Sequence, residues 1–248
     1  MTRIGAIADV HANLPALDAV LDAFHHENVE RIICCGDLVG CGPWPEEVVQ
    51  RLCDVDATCV RGNHDEAIFH LARYAASEDA AVRRMLSWTL DRLTDERREF
   101  LKGLPDRHDE EAFALVHGSF RAPMWEYILD PDCARASFER FSAPLGLVGH
   151  SHLQSAYADD GSIAARPADG VLRLDPGVRY VVNPGSVGMP RDGDRRAAYA
   201  IIDLDAGRPA VRFGRAAYDT REIDARMREL GFNGICSLAM VPSPEERR

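Results

Sequence analysis

Short apolar runs and helix-patterned stretches alternate along the first half of the chain. Ile4 to Ala8, Arg31 to Cys35, Ala57 to Val60, Ala112 to Val116 and Leu145 to Val148 have the length and composition of buried strands. Between the first two, Leu14, Leu17, Leu21 and Phe24 recur at helical intervals, which predicts a helix over 13–27 with Asp18, Asp22, His25 and His26 turned to water. A second helix is predicted from about Trp44 to Leu52. Strand, helix, strand, helix, strand describes two right-handed βα units.

The segment from Glu66 to Pro105 carries Leu71, Met85, Trp88, Leu90, Leu93, Phe100 and Leu101 among alternating charges, the pattern of two or three helices with a solvated face. We read 66–105 as a helical cap insertion. Beyond His152 the runs become shorter and punctuated by glycine: Val171 to Leu174, Tyr180 to Asn183, Ala197 to Leu204 and Ala210 to Arg215. These predict a second, mostly antiparallel sheet packed on the first. The expected class is α/β, a four-layer α/β/β/α sandwich of two mixed sheets flanked by helices. An amphipathic helix from Asp219 to Leu230 opens a C-terminal region, 219–248, that ends in a polar tail. No Gly/Ser or Pro linker divides the chain, so residues 1–248 are expected to form one domain.

Composition narrows the function. With 248 residues and 46% hydrophobic content the chain can bury a sizeable core. A formal charge of −11 without a clustered Lys/Arg face argues against nonspecific binding to nucleic-acid backbone. Seven cysteines with no C-x-x-C pair read as reduced thiols. The amino terminus shows no signal-peptide pattern and no stretch is long enough to span a bilayer, so the expectation is a cytoplasmic protein without a membrane partner. Oligomeric state is left open.

Five polar fragments stand at the ends of the five strand runs: Asp9-Val-His11, Gly36-Asp37, Gly62-Asn63-His64-Asp65, His117-Gly118 and Gly149-His150-Ser151-His152. Ligands in open α/β sheets collect outside the carboxyl ends of the strands, which places all five together on one sheet edge. Taken singly, each fragment is an ordinary turn, helix cap or core histidine. Their conjunction points to metal. Asp, Asn and His offer oxygen and imidazole donors that suit Mn, Fe, Co, Ni or Zn. Asp9, Asp37, Asn63, His11, His117, His150 and His152 are too many donors for one tetrahedral ion, so two divalent ions are expected. A carboxylate can touch both, and Asp37 is the natural bridge.

The ordered set D-x-H, G-D, G-N-H-[DE], H, G-H-x-H resembles the calcineurin-like metallophosphoesterase superfamily, in its compact bacterial, phosphodiesterase-like branch. Asn183-Pro184-Gly185-Ser186-Val187-Gly188 resembles a loop of that branch. The resemblance implies the same sandwich fold. It also implies Asp9, His11, Asp37 and His152 on one metal, with Asp37, Asn63, His117 and His150 on the other. His64 is then unligated beside the substrate.

What two ions do to water and phosphate gives the expected reaction. A metal-bridging hydroxide attacks phosphorus while the ions clamp the phosphoryl oxygens, and about one net positive charge at the site attracts a small phosphate ester or nucleotide. His64 is the expected catalytic aid to the leaving group, with Asp65 as its orienter. Arg61 and Arg121 are candidate substrate-binding cations. The Asp-Arg-Gly sequence of the superfamily's serine/threonine phosphatases is missing after Asp37, where Leu38-Val39-Gly40 stands instead. Phosphodiesterase is therefore the first reading, with Mn²⁺ the first metal to supply in vitro. Phosphomonoesterase, protein phosphatase or dinucleoside polyphosphate hydrolase comes second, and a metal-binding interaction scaffold is the non-enzyme alternative.

Overall fold

The computed structural model describes residues 3–74, 80–159, 163–165, 170–204 and 209–232. The C-terminal tail and Cys236 lie outside them. The first strand, β1 (Arg3–Ile7), runs into helix α1 (Leu14–His26), whose first turn is closed by the Asn13 side chain accepting from the Ala16 N–H. Strand β2 (Arg31–Cys34), helix α2 (Pro45–Asp54) and the two-residue strand β3 (Thr58–Cys59) follow, and β1, β2 and β3 lie side by side in parallel. Both predicted βα units are present, and α2 opens on Pro45 in its first turn.

The chain then forms the short helices α3 (Asn63–Ala67) and α4 (Leu71–Tyr74) and the longer α5 (Ala80–Arg92) and α6 (Asp95–Gly103). These occupy the segment read as a cap. Leu86, Leu93, Leu101 and Leu104 are buried there with α1, α2 and the outer face of the first sheet. From within the insertion, the buried Thr89 hydroxyl donates to the Gly40 carbonyl of a site loop at 3.4 Å.

Strands β4 (Arg107–Asp109), β5 (Phe113–Val116) and β6 (Leu145–Leu147) come next, with helix α7 (Pro131–Phe138) between the last two. The remaining elements are β7 (Gln154–Ala158), β8 (Ile163–Ala165), β9 (Val171–Arg173), β10 (Tyr180–Pro184), β11 (Ala197–Asp203), β12 (Ala210–Ala216) and helix α8 (Thr220–Glu229). Two six-stranded mixed sheets result, ordered β3-β2-β1-β11-β12-β9 and β4-β5-β6-β10-β7-β8. Ile4, Ala6, Ile33, Ile202 and Phe213 of the first meet Phe113, Leu115, Leu145, Leu147 and Val182 of the second in one buried layer. Helices α1, α2, α5 and α6 cover the outer face of the first sheet, and α7 covers the second with Phe120, Phe138 and Phe141. The four-layer α/β/β/α sandwich is the observed fold.

The sheet assignment differs from the expectation. The five fragments do not share one edge, because β5 and β6, which lead to His117 and to His150, pair in parallel within the second sheet. Conversely, β11 returns antiparallel to β1 and draws β12 and β9 into the first sheet. Only β10 of the later strands joins β6. The site therefore sits where the carboxyl ends of β1, β2 and β3 face those of β5 and β6 across the sandwich.

Candidate metal centre

The loops at this junction are bent in a way that few residues tolerate. Among the described residues, the non-glycine positions with positive φ include Asp9, His11, Asp37, His150 and His152, with φ between 49° and 65°. Each costs on the order of 1 kcal/mol, and only a fold that over-determines them holds them there. The hold is visible. Asp37 Oδ1 accepts from the His64 N–H at 2.8 Å, and Asp9 Oδ1 accepts from the His150 N–H at 3.1 Å, which ties the first sheet's loop to the second's. Gly62 packs so closely on Asp37 that a Cβ there would overlap its carboxylate, which explains the glycine before Asn63.

The seven predicted ligands converge. His11 Nε2 lies 3.2 Å from His152 Nε2 and 3.6 Å from Asp37 Oδ2, and His152 Nε2 lies 3.4 Å from Asp9 Oδ1. On the other side of Asp37, His117 Nε2 is 3.3 Å from Oδ2, 3.0 Å from Asn63 Oδ1 and 3.2 Å from His150 Nδ1. Two groups of donors, Asp9/His11/Asp37/His152 and Asp37/His117/His150, each fall within 4.8 Å and share Asp37. The ring tautomers fit metal. His117 Nδ1 is 2.7 Å from the Cys35 carbonyl and His152 Nδ1 is 2.6 Å from the Met189 carbonyl. A carbonyl only accepts, so both Nδ1 atoms carry a proton and both Nε2 atoms face the centre.

All of these side chains are buried except at the rim, and burial sets their charge. It drives His11 down to about 3 and holds His150 and His152 well below the usual imidazole range, so all three are neutral and free to ligate. Burial pushes the Asp9 carboxyl up to about 7, opposed by His117 and reinforced by Asp37. Against its own burial, Asp37 is held well below the carboxylate range by His117, His64 and His11. His117 is raised to about 9 because Asp37, bonded to it, outweighs desolvation. Asp9 Oδ2 and His11 Nδ1 are buried without a hydrogen-bond partner. A cluster whose cation is a proton on His117, and which leaves a buried carboxylate oxygen unpaired, fits divalent ions.

Matches to known proteins agree with this geometry. The family model for the calcineurin-like phosphoesterase superfamily domain matches residues 2–207. The chain belongs to that superfamily. It is 40% identical to a metallophosphoesterase from Sphaerobacter thermophilus of known crystal structure, with a TM-score of 0.84 over 96% of this chain and 98% of that one. An uncharacterized Methanocaldococcus jannaschii protein is 34% identical over 213 residues, 82% of this chain and 83% of its own. A Pyrococcus horikoshii protein, 21% identical, shares the fold at a TM-score of 0.79 over 96% and 98% of the two chains. Superfamily members are phosphoesterases that use divalent metals, and this chain carries donor groups suited to holding them.

Around the superfamily's donor set, the other predicted residues are placed less uniformly. His64 stands at the rim, its ring 4.9 Å from that of His11 and nearly perpendicular to it. Asp65 does not orient it. The Asp65 carboxylate accepts from the N–H groups of Leu38 (2.9 Å), Val39 (3.1 Å) and Gly62 (2.9 Å), so it locks the loop after β2 to the loop after β3. Arg61 is turned to Asp106 at 2.6 Å and Glu66 at 3.4 Å, and the half-exposed Arg121 to Glu126. Both arginines are occupied by carboxylates.

Three residues at the site carried no signal that sequence reading used. Cys41 lies with His11 and His64 in a third group of closely spaced donors. The Tyr127 ring stacks on His150 at 3.9 Å and 12°. Arg191, three residues after Gly188, bonds through its N–H to the His152 carbonyl at 3.3 Å. The Asn183–Gly188 stretch flagged by resemblance was the pointer to Arg191, since that loop supplies the second layer: Asn183 Nδ2 donates to the Gly149 carbonyl at 2.6 Å, and Ser186 Oγ to the Asp9 carbonyl at 2.8 Å.

Proposed function

We propose that this protein is a dinuclear metal-dependent phosphodiesterase. The observation that carries the reading is the pair of donor groups meeting at one carboxylate, Asp37, with a ring, His64, beside them that belongs to neither. Asp9, His11, Asp37 and His152 would hold one ion, and Asp37, Asn63, His117 and His150 the other. Such ions supply Lewis acidity toward phosphoryl oxygens and acidify water at neutral pH. The chain's own part is to fix them. Asp37 is kept ionised, His11, His150 and His152 are kept neutral, and backbone carbonyls of Cys35 and Met189 orient two of the rings.

His64 has the freedom that its neighbours lack. Its N–H is bonded to Asp37, which pins the backbone, while its ring sits half-buried at the mouth. From there it can deliver a proton to the departing alkoxide oxygen, which a diester requires. Hydrolysis of matched chromogenic phosphodiester and phosphomonoester substrates by Mn²⁺-reconstituted protein tests the reading. Metal-dependent cleavage with the diester preferred supports it; preference for the monoester moves the assignment to a phosphomonoesterase, and two bound metals without cleavage of either ester moves it to a binding scaffold.

A further inference from the structure

The centre has a cation that is neither a metal ligand nor neutralised by a surface acid. Arg191 lies where the loop after β10 crosses the second sheet's metal loop. That crossing is stitched on both sides: Gly188 N–H donates to the Asp9 carbonyl at 2.9 Å, Met189 N–H to Ser186 Oγ at 2.7 Å, and Arg191 N–H to the His152 carbonyl at 3.3 Å. The guanidinium is thereby brought close enough for its charge to act on Asp9, His11, His150 and His152 together. Its Nε is buried and has no hydrogen-bond partner.

The surroundings keep this charge available. The nearby acids of the same loop are committed elsewhere, Asp192 to Arg215 and Asp194 to Arg196 at 2.7 Å. That separates Arg191 from Arg61 and Arg121, whose guanidinia are taken by Asp106, Glu66 and Glu126. On its other side stands Tyr127. A hydrogen bond from Arg191 reaches its hydroxyl oxygen, and the phenol keeps its own O–H to donate. The phenol ring lies flat on His150, which fixes it at the edge of the centre.

We infer that Arg191, positioned by the loop after β10 and aided by the Tyr127 hydroxyl, is the anion grip that holds a phosphoryl oxygen of the substrate facing away from the metals. The inference rests on the phosphoesterase reading above and adds the residues that bind the substrate's charge. A half-buried guanidinium whose buried Nε–H is unpaired, beside a phenol O–H, suits a tetrahedral oxyanion, because each N–H and the O–H can be satisfied only by an acceptor. The grip accounts for what Arg61 and Arg121 do not supply.

The test uses the full chain loaded with Mn²⁺, with orthophosphate as the probe and with Arg191→Met, Arg191→Lys and Tyr127→Phe variants. Metal content is measured in each, orthophosphate affinity by calorimetry, and KM and kcat on the chromogenic ester that the wild type cleaves best. The expectation is two Mn²⁺ per chain in every variant, orthophosphate binding weakened about tenfold or more by Arg191→Met, partial recovery in Arg191→Lys, and a smaller loss in Tyr127→Phe, with KM rising as affinity falls. Unchanged orthophosphate affinity in Arg191→Met overturns the grip while leaving the phosphoesterase intact. Loss of metal from Arg191→Met and Arg191→Lys alike also overturns it, by making Arg191 a support of the metal loops. A wild type that binds two metals but neither orthophosphate nor ester fails the phosphoesterase reading itself, and the grip with it.

Discussion

The two sheets contribute unlike chemistry to one site. The first brings both carboxylates, the amide and one imidazole from the ends of β1, β2 and β3; the second brings three imidazoles from the ends of β5 and β6. Neither half is a complete donor group. Asp9 finds His152 across the sandwich, and Asp37 finds His117. The carboxylates set the charge and the imidazoles the geometry, so an ion bound here is also a fastener between sheets. The apolar layer of Ile33, Phe113, Leu147 and Ile202 closes the rest of the same interface without direction.

That contrast can be broken by degrees. Removing metal should have the largest effect on stability: a ligand at a thousand times its dissociation constant stabilises by about 4 kcal/mol, so chelation should lower Tm by several degrees and Mn²⁺ should restore it. Equal melting of the chelated and loaded protein would show that the sheets meet without help from the site. His64→Ala separates chemistry from fastening, with about a hundredfold loss in kcat expected while both metals stay bound. Turnover at the wild-type level would remove His64 from the reaction.

Asp65→Asn probes a fastening confined to the first sheet. One of three buried N–H acceptor contacts at Leu38, Val39 and Gly62 would face an amide donor, costing about 2 kcal/mol by denaturant titration, with metal content little changed. A variant as stable as the wild type would show that the loops after β2 and β3 need no such lock. The smallest effect is expected at Glu110, which meets Arg31 of β2 at 2.8 Å and so joins the sheets at the edge away from the metals. The hydrogen bond from Arg31, first among the causes, lowers the Glu110 carboxyl from 4.5 to about 2. A depressed folded-state pKa gives stability that is present above 4.5 and lost as pH falls toward 2. Glu110→Gln should therefore cost under about 1 kcal/mol at pH 7, with the difference shrinking across that acid window. A difference that does not change with pH would assign Glu110's contribution to packing.

How far the sequence foretold these contrasts depends on what each feature needs. Asp9, His11, Asp37, Asn63, His117, His150 and His152 were legible because each follows an apolar run, and a strand's end is a local property. Which sheet a strand joins is not local. Phe113 to Val116 and Leu145 to Leu147 read like β1 or β2, and their assignment to the second sheet is made by pairing with β10, far along the chain. The contacts of Asp65, Arg61 and Arg121 were not legible for a related reason. Adjacency to a ligand suggested chemistry, whereas backbone N–H groups and the acids Asp106, Glu66 and Glu126 had the stronger hold. Tyr127 and Arg191 come to the centre from loops whose apolar pattern says nothing of direction. Helices α1, α2 and α8 were found to within two residues at each end, their starts being written in the caps Asn13 and Asp219 and in Pro45 of the first turn.

The central claim is a pair of ions joined through Asp37, and the most direct measurement is metal content with electron paramagnetic resonance on Mn²⁺-loaded wild type and Asp37→Asn. Two Mn²⁺ per chain with a spin-coupled signal, reduced in the variant to fewer ions or uncoupled ones, is the predicted result. A wild type that holds a single Mn²⁺, or two without coupling, would contradict it.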